Sequence, residues 1–251
     1  MKTVTIDEMT IGAGKPKVII PVVGQNEAEI LAKAKEAHDL GCDFIEWRID
    51  FFEEVLVPGA VAVLSKKVKA ESHLPLLITF RSQREGGERE LDDAGYLKLY
   101  QDVLANGTLD LIDVELFMPA ENVEALVNLA HQQGVKVIMC NHDFDATPAQ
   151  QEIVKRLTMM EEKGADIAKI AVMPNSAKDV LTLLAATEER HAQADIPLIT
   201  MSMGQLGMVS RLCGEVFGSS ASFGAAGQGS APGQAPVGQL QDVLSLLSLN
   251  K

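Results

Sequence analysis

The chain has 251 residues, 47% apolar and only 4% aromatic, so a large core must be built from aliphatic side chains. The 35 Asp and Glu against 22 Lys and Arg leave a formal charge of -13, which argues against nonspecific nucleic-acid binding and against docking on an anionic membrane. Cys42, Cys140 and Cys213 lack the spacing of a disulfide framework or a zinc motif, and no signal-peptide core or membrane-length apolar run is present, so a cytoplasmic protein with reduced thiols is expected.

Residues 3–14 read as a β-hairpin. From residue 17 onward, short apolar runs alternate with amphipathic stretches. The runs span 17–24, 42–50, 75–81, 109–116, 136–144, 166–174, 197–204 and 219–226. Helical patterns occupy 27–41, 120–134 and 150–164, each closing on a glycine, and a last helix is expected over 237–248. Eight strand–helix units predict a (β/α)8 TIM barrel over residues 1–251 as one domain, with the hairpin closing the bottom of the barrel. An open doubly wound sheet would usually show a Gly-rich turn after its first strand, and here that turn reads VVGQNEAE. The Gly-, Ala- and Pro-rich stretch 224–238 reads as a mobile loop.

Side chains alternate across a strand. Glu46, Arg48 and Asp50 share one face of the second strand, Thr79 and Arg81 one face of the third, and Asp113 and Glu115 one face of the fourth. His142 is in phase with Cys140, Lys169 with Ile167 and Ala171, and Met201 with Met203. The opposite faces are mostly apolar and must pack on the helices, which assigns the charges to the lumen. Buried ions cost several kcal/mol each unless paired. A barrel with a purely structural interior would hold Val and Leu there. Asp50 and Glu115 are expected to be structural partners of the arginines.

Lys169 lies inside IAKIAVMP. Desolvation and neighbouring arginines are expected to lower its pKa and expose a neutral amine able to form an imine with a ketone, the alternative being a lysine whose head pairs with a carboxylate such as Asp113 or Glu115. Imine chemistry needs a proton shuttle, and His142, on the adjacent strand, is the histidine whose parity places it in the lumen.

With these residues in hand, the chain resembles the type I 3-dehydroquinate dehydratases, and the resemblance covers essentially its whole length. It is carried by EWRID (46–50), FRSQREGG (80–87), IDVEL (112–116), NHDF (141–144), AKIAVMP (168–174), MSMGQLGMVSR (201–211), GEVFGSSASFG (214–224) and SAPGQ (230–234). The resemblance implies a shikimate-pathway lyase, a homodimer, that uses no cofactor and no metal. It implies that Lys169 forms a Schiff base with the C3 ketone of 3-dehydroquinate. His142 would take a C2 proton and return it to the departing C1 hydroxyl in a syn elimination, with Glu85 orienting the imidazole. Arg211 would bind the substrate carboxylate, and Glu46, Arg48 and Arg81 the ring hydroxyls. Met201, Met203 and Phe223 would wall the ring, and Ser230 and Gln234 would close over it as a lid.

Three other readings compete. A class I aldolase barrel would keep the lysine and act on a sugar ketone. A non-catalytic binder would tolerate Lys169→Ala. A metal-dependent isomerase would draw Asp113, Glu115 and His142 together as ligands.

Overall fold

The computed structural model describes residues 2–227 and 232–249. Two short strands, β1 (Val4–Ile6) and β2 (Met9–Ile11), form an antiparallel hairpin. Strands and helices then alternate: β3 (Lys17–Val22), α1 (Glu27–Asp39), β4 (Phe44–Arg48), α2 (Ala60–Ser72), β5 (Leu76–Thr79), α3 (Asp93–Asn106), β6 (Leu111–Glu115), α4 (Ala120–Gln132) and β7 (Lys136–Asp143). The series continues through α5 (Gln150–Glu162), β8 (Ile167–Val172), α6 (Ala177–Gln193), β9 (Leu198–Ser202), α7 (Gly204–Leu212), α8 (Gly214–Phe217), β10 (Ala221–Ala225), β11 (Ala235–Pro236) and α9 (Val237–Leu246). Polar caps mark several helix starts. The Asn26 side chain accepts from the Glu29 N–H, Asp92 accepts from Gly95, and Ser176 and Asp179 form a capping box.

Strands β3 to β10 are parallel and curl into the (β/α)8 barrel that the alternation predicts, β10 returning to pair with β3 at Ala221↔Lys17 and Phe223↔Ile19. The seam between β9 and β10 is thinner. It is closed by a bridge at Leu198↔Ser219, by the Ser220 N–H donating to the Leu198 carbonyl at 2.7 Å, and by the Thr200 N–H donating to Ser219 Oγ at 3.0 Å.

Parity sorts the core into two bodies. Outward-facing residues such as Ile45, Trp47, Ile78, Val114, Met139 and Ile170 pack with the helices. The lumen is layered. Its lowest ring holds Ile19, Phe44, Leu77, Leu111, Ile138, Ile167, Ile199 and Ala221, and Val4, Ile6 and Ile11 of the hairpin pack against it, closing the bottom. Fully burying one such side chain contributes about 1.5–3 kcal/mol. Polar residues begin one pleat higher, towards the C-terminal ends of the strands.

All eight barrel strands stop one or two residues short of the expected runs, which leaves Asp50, Arg81 and Met203 beyond their strands. The second stops at Arg48, and Ile49–Phe51 turns into a 3-10 helix, so Asp50 leaves the strand. Its carboxylate instead accepts from Arg48 Nε at 2.8 Å, Arg48 Nη2 at 2.7 Å and the Glu88 N–H at 3.2 Å. The third stops at Thr79, so Arg81 reaches the lumen from just past the strand end.

Candidate active site

Above the apolar ring lies a fully buried ionic floor. Asp113 of β6 accepts from Arg81 Nη2 at 2.7 Å through Oδ1, and its Oδ2 accepts from Lys169 Nζ at 3.2 Å. Glu115, two residues on, accepts from Arg81 Nη1 at 2.8 Å and from Ser82 Oγ at 2.6 Å. Two buried carboxylates thus divide one guanidinium. The Arg81 donors point into the floor, so Arg81 faces the cavity with its hydrogen-bonding capacity largely spent. Thr79 Oγ1 donates to Glu46 Oε1 at 3.0 Å, and the same oxygen lies 3.5 Å from Lys169 Nζ.

These two carboxylates reverse one expectation. Burial does press the Lys169 ammonium towards neutrality, but Asp113 and Glu46 outweigh burial and the Arg81 charge, and the pKa is raised. Lys169 therefore rests as an ammonium, with Nζ also 4.9 Å above the Phe223 ring centre. It must give up its proton before it can act as a nucleophile.

His142, at the open end of β7, is built differently. Its Nδ1 lies 2.9 Å from Glu85 Oε2, and its own N–H donates to the same oxygen at 2.9 Å. Burial, reinforced by Arg81, Lys169 and Arg48, holds the imidazole pKa well below its usual value. A neutral ring with Nδ1–H donating to Glu85 leaves the Nε2 lone pair as the proton acceptor on the cavity side. Burial also pushes the Glu85 carboxyl up to about 7, against the pull of Arg81.

The two groups open on one cavity of about 230 Å³, lined by His142, Lys169, Glu46, Arg48, Arg81 and Glu85 on its polar side. Ala171, Met201, Met203, Phe144 and Phe223 form its apolar wall, with Gly86, Pro232 and Gln234 at the rim. Arg211 of α7 enters the same cavity. It makes no ion pair among the described residues: Nη2 donates to the Pro232 carbonyl at 3.2 Å, Nη1 approaches Met201 Sδ at 3.5 Å, and the buried Nε has no partner. Burial pulls its pKa down to about 10, which still leaves the guanidinium charged at neutral pH. A buried cation without a counter-ion is a site for an anionic ligand.

Glu85, Cys140 and His142 bring metal-ligand atoms within 4.8 Å of one another. Arg81 Nη1 lies beside this set, 3.1 Å from Cys140 Sγ and 3.6 Å from Glu85 Oε2, so a fixed cation already stands against two of the three groups. Asp113 and Glu115, the other carboxylates of the metal reading, are committed to Arg81 and Lys169.

Residues 18–251 match the family model described as type I 3-dehydroquinase. The chain belongs to the type I 3-dehydroquinase family. It is 49% identical over 248 residues to the 3-dehydroquinate dehydratase of Clostridioides difficile, covering 98% of this chain and 97% of that one. It is 46% identical over 253 residues to the Enterococcus faecalis enzyme of the same name, covering 100% of both. A crystal structure of the C. difficile type I enzyme, covalently modified with comenic acid, superposes with a TM-score of 0.94 over 98% of this chain and 97% of that chain. A Geobacillus kaustophilus 3-dehydroquinate dehydratase structure gives 0.95 at 38% identity, over 98% of this chain and 96% of that one.

In this type I 3-dehydroquinase the cavity gathers every site residue named from the sequence except Ser230, which lies outside the described residues. Sequence reasoning missed three features. Phe144 stacks near the His142 ring at 6.4 Å and 20°. Gly86 adopts φ +83°, and a Cβ there would fall 2.4 Å from Phe144, so only glycine lets the Glu85 turn close under that ring. Asn141 faces outward on β7, yet its Nδ2 donates to Glu85 Oε1 at 3.1 Å. The available signal was a polar pair, Asn141 and Asp143, on a strand face that begins with Val137 and Met139.

Proposed function

We propose that this chain dehydrates 3-dehydroquinate to 3-dehydroshikimate in the shikimate pathway through a Lys169 Schiff base, working as a cytoplasmic homodimer of single-domain barrels. The observation that carries the reading is the convergence on one cavity of Lys169, the His142–Glu85 pair and Arg211, which makes no ion pair among the described residues. Arg211 receives the substrate carboxylate as a charge-assisted hydrogen-bond donor. Glu46 and Arg48 address the ring hydroxyls from the polar side, and Arg81 chiefly fixes Asp113 and Glu115 beneath them. Met201, Met203 and Phe223 pack along the ring, with Gln234 at the rim of the cavity.

Once the Lys169 ammonium has released its proton, the amine adds to the C3 ketone, and loss of that oxygen as water leaves a protonated imine. The iminium acidifies C2. His142 Nε2 takes the C2 proton, and the electron pair moves into the C2–C3 bond as an enamine. Return of that pair expels the C1 hydroxyl, which leaves as water with the proton from His142. Hydrolysis of the imine then regenerates Lys169. Glu85 stabilises the imidazolium while it carries the proton.

The test is to add borohydride to a mixture of protein and 3-dehydroquinate and map the adduct by peptide mass spectrometry. A reduced adduct on the peptide carrying Lys169, lost in Lys169→Ala together with turnover, is the expected result. Turnover without an adduct would remove the imine from the mechanism. Neither turnover nor adduct would remove the substrate. Light scattering at twice the chain mass checks the dimer.

A further inference from the structure

His142 and Glu85 are backed by a line of hydrogen bonds that leaves the lumen through the barrel wall. Asn141 Nδ2 donates to Glu85 Oε1 at 3.1 Å. Behind it, Arg156 of α5 donates from Nη1 to Asn141 Oδ1 at 2.9 Å. An amide has one acceptor end and one donor end, and a guanidinium only donates. Arg156 therefore fixes which way round Asn141 stands, and the donor end is the one that faces Glu85. Arg156 is itself held on three sides. Its Nε donates to Glu152 Oε1 at 2.9 Å, Nη1 lies 3.6 Å from Asp143 Oδ2, and the guanidinium stacks 5.6 Å from the Phe117 ring centre. Its side chain is 18% exposed and does not line the cavity.

We propose that Arg156 is a positioning residue for the dehydration, acting through Asn141 to hold Glu85 as the hydrogen-bond acceptor that orients the His142 ring. The proposal rests on the His142 and Glu85 roles given above. Charged and titratable groups reach Glu85 from three other directions: Arg81 beyond β5, Asp113 and Glu115 from β6, and Cys140 and His142 from β7. Glu115 and Asp113 disfavour a third carboxylate, as does burial, while Arg81 and the Asn141 amide favour it. Asn141 is the amide among the groups around Glu85, and its contribution depends on its orientation. With Arg156 gone, the amide is free to turn its oxygen towards the Glu85 oxygens. That orientation favours a protonated Glu85, and a protonated Glu85 no longer requires Nδ1–H on the histidine.

The experiment compares pH profiles of the intact enzyme for wild type, Arg156→Met, Arg156→Lys, Asn141→Asp, Glu85→Gln and the double variant Arg156→Met/Glu85→Gln. Arg156→Met should lower kcat roughly threefold to tenfold with KM within about twofold, because the bound ring is not touched. It should also move the acid limb of the profile up by about half to one pH unit. Arg156→Lys keeps a donor and should recover most of both effects. Asn141→Asp is isosteric, keeps an acceptor for Arg156 and presents a carboxyl to Glu85, so it should move the limb further in the same direction. The 15N signals of His142 should report loss of the single Nδ1–H tautomer in Arg156→Met. In the Glu85→Gln background the Arg156 change should add no further shift, since both act through one group. An unchanged limb and unchanged 15N signals in folded Arg156→Met and Asn141→Asp would overturn the proposal. So would an equal, additive loss in the double variant, which would place the action of Arg156 elsewhere. If Glu85→Gln itself leaves the profile unaltered, the Glu85 role fails and takes this proposal with it, while the Lys169 chemistry stands.

Discussion

Glu85 shows at the residue scale how function is set against stability. Its folded pKa of about 7 stands above the ordinary 4.5 of a glutamate. Between those values the folded chain binds more protons than the unfolded chain, so stability falls as pH rises through this window. Glu85→Gln removes that titration. Its melting temperature should gain on the wild type as pH rises from about 5 to about 8, while turnover drops, and paired thermal melts across that range check the crossing. A parallel decline of both proteins would assign the titration to another group. The lysine teaches a related lesson. Its place in an apolar strand was legible, and so was its burial, but the direction of its pKa was not. Burial and Arg81 act as the sequence suggests, yet Asp113 Oδ2 at 3.2 Å and Glu46 Oε1 at 3.5 Å decide the outcome. Distances between side chains on different strands are tertiary quantities, and no single strand's pattern contains them.

At the scale of the element, period-two alternation located most of the site because each barrel strand obeys it. Glu46, Asp113, Cys140, His142 and Lys169 all face the lumen as their parity requires. Alternation fails where strands end. Asp50 sits in a 3-10 turn and Arg81 beyond Thr79, and Glu85 became visible only through the family resemblance. The segment before β11 is likewise set by backbone contact. Pro232 accepts from both Arg211 Nη2 and the Gly204 N–H, and Gly233 (φ +77°) comes so close that a Cβ would fall 2.2 Å from the Gly204 carbonyl oxygen. Gly233→Ala should therefore keep this segment off α7. The expected result is a KM several-fold higher, with strain of about 1 kcal/mol, read from steady-state kinetics and a thermal melt. An unaltered KM would show that substrate binding does not need the docked segment.

The whole molecule separates its two ends. The hairpin and the lowest lumen ring form an apolar plug, the ionic floor lies above it, and the cavity opens at the other face. Ile11 is fully buried in the plug. Ile11→Ala should cost about 2–5 kcal/mol, seen in chemical denaturation, with kcat/KM within about twofold of wild type. A large loss of activity in the folded variant would show that the plug sets the floor's geometry.

The thin seam between β9 and β10 has a consequence for what the cavity admits. Met201 lies in β9 with Met203 just past it, and Phe223 lies in β10, so the apolar wall flanks the thinnest join of the barrel, while Glu46, Arg48, His142 and Lys169 stand on strands paired on both sides. Methionine is a compliant side chain. On the function proposed above, selectivity would thereby be divided: the rigid side would read the hydroxyls and the ketone by position, and the yielding side would tolerate rings of differing pucker and bulk. Inhibitors should find room to grow towards Met203 and Phe223, and very little towards Glu46.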